Sequence, residues 1–395
     1  ADGLVSGPES TSLDWDGIWE AATTRDEQGW TAEIFIPSRT LRFNPSRPTW
    51  GLNLERFVAR ERVTLRWASP ILDAKFPDMA RAGVLDGVGV LQRGSGWSIT
   101  PYFLGQQRTD FTTEHTQRLG RGGVDVTVPL GEQLSGVFTY RPDFAETEVD
   151  ARQINLTRFP LFFPEKRAFF LEGANQFQFG LGLGSTFLPF FSRTIGLSNG
   201  EPVPLHEGAK VLGRVGPVSV GALSIHQDGS PGNPPTNLSA ARVTWDASDN
   251  LRLGVIGTEG HPDGLGSNRL GGVDAIWQTS RLFGDKLFAV GLWTARSEGT
   301  SVPSGDASGW GFKVDYPNDL WDVALTLNRF GDALSPALGF LPRPGTRQAT
   351  FNVAYQPRPT SPSLSWIRQA FFEVQTLRVE DLQGQLQTWQ IFTAP

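Results

Sequence analysis

The stretch WGFKVDYPNDLWDVALTL, residues 310–327, decides the fold class of this chain. In its first half large apolar side chains alternate with glycine or charged residues, and the alternation resumes after the turn Pro317-Asn318-Asp319. Because successive side chains of a β-strand point to opposite faces, two such runs around a turn predict a β-hairpin with one apolar and one polar face. The same alternation recurs elsewhere, in residues 123–128, in 241–245 with 251–255, in 273–277 with 287–293, and in 351–355.

The composition favours strands and turns over packed helices. Glycine (45), tryptophan (13) and phenylalanine (27) are abundant, whereas methionine occurs once. No stretch approaches the roughly 18 apolar residues that a membrane-spanning helix requires. We therefore expect an all-β fold: the C-terminal part of a β-sandwich, then an antiparallel transmembrane-type β-barrel with strands of about nine to eleven residues.

Several function classes are excluded or disfavoured. The chain has no cysteine, which removes thiolate catalysis and thiolate metal sites. A net charge of -6 argues against a nucleic-acid partner. The four histidines lie far apart, and the common hydrolase and phosphate-binding motifs are missing from the sequence. We predict no cofactor, no metal site and no catalytic residue.

Charged residues support a barrel over a soluble sandwich or propeller, which is the alternative interpretation. They occupy the polar faces of strands whose other faces carry large apolar groups. A water-filled lumen tolerates such charges, whereas a packed core does not. The charged residues in question are Asp125, Arg242, Asp274, Lys313 and Asp322.

One segment, residues 143–199, follows neither the strand nor the helix period. It opens with an acidic run, for which a solvated turn is the main interpretation and a calcium site the alternative. It continues with many aromatic residues beside Glu-Lys-Arg. We expect a plug or constriction folded into the barrel, or a periplasmic turn that packs on the N-terminal domain. The residues expected to line or lock the constriction are Glu165, Lys166, Arg167, Glu172 and Arg193.

The first 92 residues have shorter strands, predicted at 30–36 and 50–58. Trp30 and Trp50 lie on apolar faces and are expected to pack in a core. Sugar-binding modules use aromatic platforms, and the tryptophans with polar neighbours are candidates for that role. These candidates are Trp15, Trp19 and Trp67.

Four blocks of sequence carry a resemblance to a known family. They are PDFAETEVDA (142–151), NLTRF (155–159), FFPEKRAFFLEG (162–173) and FSRTIG (191–196). Together they resemble an uncharacterised family of bacterial outer-membrane barrels whose N-terminal domain is similar to carbohydrate-binding module family 9. The segments 14–20, 29–33 and 50–56 resemble the closing part of that module. Ala168 stands where a proline is expected, and both ends of the chain look truncated.

The resemblance implies a module over residues 1–92 and a barrel over 93–395, in the outer membrane with the module in the periplasm. It implies a non-catalytic protein that binds carbohydrate or another polar solute, with passage of that solute as a further expectation. Its other contacts would be outer-membrane lipid and a periplasmic or surface protein. Two alternatives stay open: a hydrolase of O-glycosyl bonds that uses Glu165 and Glu172, and a structural or secretion-linked barrel that grips a protein partner.

Overall fold

The structure is a computed structural model. It describes residues 3–7, 10–12, 17–27, 29–41, 43, 47–68, 76, 79–91, 97–110, 115–131, 133–142, 154–155, 158–198, 201–230 and 232–394. The described chain is all-β apart from single helical turns, as the alternation predicts. No helix within these ranges has the length and hydropathy needed to cross a membrane.

The N-terminal residues form four separate two-stranded sheets, β1–β2, β3–β4, β5–β8 and β6–β7. Short 3-10 turns lie at Ser38–Thr40, Met79–Arg81 and Val88–Val90. The strands are β1 (Leu4–Gly7), β2 (Ser10–Ser12), β3 (Glu20–Arg25), β4 (Trp30–Phe35), β5 (Thr49–Leu52), β6 (Glu55–Val58), β7 (Val63–Arg66) and β8 (Gly83–Asp86).

Two sequence expectations fail in this part of the chain. The strand predicted over 50–58 is interrupted at Asn53, whose buried side chain binds the Leu54 N–H and the Phe76 carbonyl instead of continuing the strand. Trp30 was expected in a core but is 60% exposed. Trp50 does pack, with its ring centroid 5.0 Å from that of Phe43.

A single antiparallel sheet of 14 strands makes up most of the chain, with β9 and β24 at its edges. Two short strands, β12 (Leu197–Ser198) and β13 (Glu201–Pro202), pair separately. The sheet contains β9 (Ser98–Asp110), β10 (His115–Pro129), β11 (Leu134–Tyr140), β14 (Leu205–Val215), β15 (Val218–Gln227), β16 (Thr236–Asp246), β17 (Leu251–Glu259), β18 (Arg269–Leu282), β19 (Lys286–Glu298), β20 (Ser308–Pro317), β21 (Trp321–Phe330), β22 (Thr346–Tyr355), β23 (Phe372–Asp381) and β24 (Leu386–Ala394).

The two ends of the sheet differ in the length of their connections. At the short-turn end the hairpins close at 216–217, 247–250, 283–285 and 318–320, and only 356–371 is longer. At the long-loop end the connections include 260–268, 299–307, 331–345 and the segment between β11 and β14. This asymmetry is typical of outer-membrane barrels, in which the short turns face the periplasm.

The strand register separates two chemically different faces, as predicted. The inner face carries Asp125, Arg242, Asp274, Lys313 and Asp322, together with most of the buried residues. The outer face carries large apolar side chains that are exposed. Its members include Val243, Val255, Val273 and Leu292, between 43% and 57% exposed.

The sheet curls around its inner face. Strands lie about 4.8 Å apart, so β11 and β21 would be roughly 38 Å apart in a flat sheet. Yet Val137 on β11 and Leu338, just beyond β21, belong to one buried cluster. Phe190 packs against this cluster and against a second one built on Trp293 and Phe330. The core of the molecule therefore lies on the concave inner face.

Candidate functional site

Residues 158–198, within the long β11–β14 connection, fold inward against the sheet. We call this part of the chain the inward segment. It contains one turn of helix, α1 (Ala168–Leu171), and 3-10 turns at Ala174–Phe177, Gly184–Thr186 and Ser192–Thr194. The prediction of a non-strand element within 143–199 agrees with this arrangement, while the acidic run 143–150 lies outside the described residues.

Glu165 and Arg167 fasten the inward segment to itself. Both carboxylate oxygens of Glu165 are used: the Arg167 guanidinium donates to them at 2.8 and 2.7 Å, and the Ser192 hydroxyl donates at 2.5 Å. Arg167 also donates to the carbonyls of Ser192 and Ile195 and lies over the Phe170 ring. The start of the segment is thus held to its end.

The charge of the Glu165 carboxylate makes the stability of this contact depend on pH. Burial alone would raise the pKa of the Glu165 carboxyl, but the hydrogen bonds and charge of Arg167, with the Ser192 hydroxyl, hold the pKa below its ordinary value of 4.5. A carboxyl with a lowered pKa stabilises the fold above that ordinary value. Its contribution is lost as the pH falls from about 4.5 towards the lower folded pKa.

We expect Glu165→Gln to destabilise the protein by about 3–5 kcal/mol at pH 7, because Arg167 is left buried without a counter-charge. The stability of the variant should also fall less steeply below pH 4.5, because protonation of Glu165 no longer contributes to the decline. Thermal unfolding at pH 7 and pH 3 measures both effects. Glu172→Gln is the control, since Glu172 is 34% exposed and lies 3.6 Å from its lysine partner. An equal loss of stability in both variants would contradict the role of Glu165 in holding the two ends of the segment together.

Lys210 on β14 anchors the end of α1. Its ammonium group is 1% exposed and donates to the carbonyls of Phe169 and Glu172, the latter at 2.8 Å. It also lies 4.5 Å from the centre of the Phe169 ring. A cation at the C-terminal end of a helical turn binds carbonyls that have no partner within the helix.

A buried ion pair anchors the middle of the segment. Arg242 on β16 and Asp274 on β18 form a bidentate pair at 2.5 and 2.8 Å, with both side chains 2% exposed. Asp274 also accepts the Gly180 N–H at 3.2 Å, and Arg242 lies over the Phe179 ring. The pair holds two strands and the inward segment together.

Two further contacts hold the far end of the segment. The Gln227 side chain accepts the Gly196 N–H at 2.9 Å and donates to the Pro262 carbonyl at 2.5 Å. Leu188 forms a two-way β-bridge with Phe340, in the 331–345 loop. The segment is therefore tied both to the wall and to a neighbouring long loop.

Aromatic packing fills the space between the segment and the wall. Phe187 has no exposed surface and packs against Trp293 and Phe330, with ring centroids at 5.0 and 5.7 Å. Inward glycines make room for this contact: a Cβ at Gly291 would lie 2.4 Å from Leu181, and one at Gly221 would lie 2.8 Å from Gln176. Glycine is required there because the segment lies against the backbone of the strands.

Polar side chains line the inner face nearer the short-turn end, beyond the inward segment. Asp246 lies between two arginines, 2.7 Å from Arg214 and 2.8 Å from Arg252. The two arginine side chains are 43% and 47% exposed, so they face open space rather than packed protein. This arginine–aspartate cluster was not singled out in the sequence, where Arg214 shows no sign that it would meet a residue two strands away.

Aromatic rings form a girdle on the outer face at the short-turn end. Trp321 and Tyr355 stack with centroids 4.3 Å apart, and Trp277 and Phe288 meet at 6.2 Å. The strand register places Trp321, Tyr355 and Phe372 directly opposite one another on β21, β22 and β23. Trp277 and Phe288, on β18 and β19, are offset by two residues. The girdle consists of Trp245, Trp277, Phe288, Tyr316, Trp321, Tyr355 and Phe372.

Charged residues bound the outer face at the other end. On β21 the apolar band extends from Trp321, in the girdle, to the charged Arg329. On β22 it extends from Tyr355 to Arg347. At about 3.3 Å per residue each interval measures roughly 26 Å along the strand. With a usual barrel tilt this is about 20 Å across a bilayer, close to the ~25 Å apolar band of outer-membrane barrels.

The predicted site residues divide into two groups. Glu165 and Arg167 lie together, and the half-buried Glu172 meets Lys210, while Lys166 and Arg193 are half-buried in the same segment. Trp19 and Trp67 are exposed, at 38% and 57%, and lie next to the ends of β3 and β7. Trp15 lies outside the described residues.

The carboxylates of the segment do not have the geometry of a glycosidase pair. A general acid needs a raised pKa and a free oxygen, whereas Glu165 has a lowered pKa and both oxygens engaged. Among the described residues no group of three acidic or histidine side chains could hold a metal ion.

Comparisons with known proteins give a family match over part of the chain and loose likenesses to solved structures. Residues 97–212 match the family described as Domain of unknown function (DUF5916). The crystal structure of Acinetobacter baumannii OccAB2 is 9% identical, with 75% of this chain and 73% of that chain covered and a TM-score of 0.38. That of Pseudomonas aeruginosa OccK10 (OpdN) is 10% identical, covers 96% and 99%, and has a TM-score of 0.23. Likenesses with such TM-scores carry no functional argument, and no curated protein sequence matches.

Proposed function

We propose that the chain forms the wall of an outer-membrane β-barrel that binds a polar solute, carbohydrate foremost, and passes it along a lumen narrowed by the inward segment, without chemistry. The observation that carries this proposal is the outer face. Exposed valines and leucines form an apolar band there, with the aromatic girdle at one end and arginines at the other. Water disfavours such a surface, and a bilayer accommodates it.

The orientation that we propose places the N-terminal residues in the periplasm. Arg81 donates to the carbonyls of Ser280 and Asp285 at 2.5 and 2.7 Å, beside the β18–β19 turn. This contact lies at the short-turn end, and the inward segment enters from the long-loop end. The exposed rings of Trp19 and Trp67 then lie on the periplasmic side and support a carbohydrate-binding role for residues 1–92.

The inner face supports passage of a polar solute. Next to the inward segment, Lys210 and the Arg242–Asp274 pair on the inner face are buried and hold that segment. Nearer the periplasm, Arg214, Asp246 and Arg252 are accessible and carry a net positive charge. A solute would meet these groups at the periplasmic mouth, where anionic sugars would be favoured over cationic ones.

A vesicle-swelling assay tests the proposal. Liposomes that contain the full-length protein should swell faster than protein-free liposomes in an isosmotic neutral disaccharide and in a sugar acid. The double variant Arg214→Glu/Arg252→Glu should lower the swelling rate in the sugar acid, relative to the rate in the disaccharide, on the order of ten-fold, because the periplasmic mouth becomes acidic.

Arg296→Glu on the outer face is the matched control and should leave the ratio of the two rates unchanged. Swelling no faster than in protein-free liposomes would overturn passage. A ratio that shifts equally in the control would overturn the role of the arginine–aspartate cluster.

A further inference from the structure

We infer that an outward patch of three arginines, Arg329, Arg347 and Arg378, binds the phosphate headgroup of an anionic glycolipid in the leaflet on the long-loop side. The inference rests on the proposed membrane location of the barrel. The patch lies on neighbouring strands β21, β22 and β23, on the face opposite to the inward segment.

The charges of the patch are arranged unfavourably for a protein on its own. Arg329 and Arg347 are directly opposite one another in the ladder, and Arg378 is one diagonal step from Arg347. The residue opposite Arg347 on its other side is Glu380, which pairs with Arg378. Like charges at directly opposite positions destabilise a sheet. A bound anion between the guanidinium groups would turn this repulsion into attraction.

The acidic neighbours of the patch are already engaged. Asp306 accepts from Arg329 at 2.5 Å, and Glu380 accepts from Arg378 at 2.7 Å. The Ser308 hydroxyl, together with Arg329, lowers the pKa of Asp306 to about 2, so this carboxylate stays charged. Arg347 is exposed, and its side chain forms no hydrogen bond or ion pair with any residue that the structure describes.

The floor of the patch suits the apolar part of a lipid. The three arginines line a shallow depression of about 210 Å³, together with the apolar Trp310, Leu327 and Ala349 and the carboxylate of Glu380, which pairs with Arg378. Phe351, 41% exposed, continues the apolar surface towards the girdle. An occupant must therefore combine a phosphate, which guanidinium groups bind in a bidentate manner, with acyl chains that cover the band below it.

Other arginines at the same height on the barrel are neutralised. Arg269 lies 2.7 Å from Glu259, and Arg296 lies 3.4 Å from Glu298, both outward pairs at the long-loop end. The patch differs because its three arginines outnumber its two carboxylates, Asp306 and Glu380, and because the Arg347 side chain forms no ion pair with a described residue. This local excess distinguishes a specific lipid site from a general belt of charged residues.

Binding of diphosphoryl lipid A to the purified full-length protein tests the inference. Native mass spectrometry should show about five-fold weaker binding for Arg347→Gln and roughly 100-fold weaker binding for the triple glutamine variant, at the usual strength of one arginine beside an anionic lipid surface. Arg269→Gln is the control and should bind as the wild type does.

Thermal unfolding adds a readout that a merely structural arginine would not give. Without lipid A, Arg347→Gln should be at least as stable as the wild type, because a repulsion is removed. With lipid A, the wild type should gain more stability than the variant, so that their order reverses or their gap narrows.

Wild-type affinity in the triple variant, or an equal loss in Arg269→Gln, would overturn the inference. Heat-modifiable gel mobility separates this failure from a failure of the proposed function. A heat-modifiable barrel that binds lipid A regardless of the arginines overturns the lipid site alone. A protein that never forms such a barrel overturns both.

Discussion

Asp274→Ala should cost about 3–5 kcal/mol of unfolding free energy, among the largest losses that we expect from a single substitution in this chain. The change leaves Arg242 buried, 2% exposed, without its counter-charge. It also removes the acceptor of the Gly180 N–H, which connects the inward segment to β18. Urea titration of the protein folded into lipid vesicles measures the loss.

The matched control is the double variant Arg242→Met/Asp274→Leu. Replacing both partners of a buried ion pair by apolar groups of similar size is often neutral or stabilising, so most of the loss should be recovered. The Nε atom of Arg242 has no partner in the described structure and adds to the cost of keeping the charge buried. A double variant as unstable as the single one would contradict this account of the pair.

Phe187→Ala should have a comparable effect on stability and a larger one on the lumen. Its ring has no exposed surface and lies against Trp293, Phe330 and Phe179. Removal of a buried phenylalanine side chain costs about 3–5 kcal/mol. Because this ring attaches the inward segment to the wall, we also expect larger or more frequent open currents in planar bilayers.

Phe162→Ala is the control for the second prediction. Phe162 belongs to the same segment but is 37% exposed, and its ring stacks on Phe191 at 5.2 Å. This substitution should lower the unfolding free energy by less than about 1.5 kcal/mol, because the Phe162 side chain buries less apolar surface than the Phe187 side chain does. Unchanged currents in Phe187→Ala, despite reduced stability, would contradict the attachment of the segment to the wall.

The sequence predicted the strands of the sheet well because their signal is local. Alternation between an apolar outer face and a polar inner face is visible within one hairpin, as in residues 310–327, and it needs no knowledge of distant partners. The strands β16 to β22 lie where the pattern predicted them. In the N-terminal part the signal is weaker, and a single buried asparagine, Asn53, was enough to divide a predicted strand.

The inner face could be predicted only in part. Lys210, Arg242 and Gln227 occupy alternating positions along their strands, as every inner-face residue does. The sequence therefore does not reveal that they hold the inward segment. Their partners are backbone groups or side chains that lie 31 or more positions away along the chain. An inward glycine such as Gly291 was an available signal, because a glycine on the polar face of a strand has no side chain and leaves room for another element.

The same limit explains the outcome for Glu165 and Arg167. Their adjacency in Glu-Lys-Arg pointed to a charged constriction, and the two alternatives, lining the lumen or locking the segment, could not be separated from the sequence. The structure brings Ser192 and Ile195 to the pair, which supports the locking role. Whether the other charged residues of the segment contact a solute stays a prediction.

Thiol labelling in intact outer membranes tests the central claim most directly, and the absence of cysteine from the sequence makes it simple. Val255→Cys and Val273→Cys lie on the outer band, and Arg252→Cys lies on the inner face near the short turns. A membrane-impermeant maleimide small enough to enter the lumen should label Arg252→Cys and leave both valine positions unlabelled until detergent is added. Equal labelling of all three before detergent would show that water, and not lipid, covers the outer face.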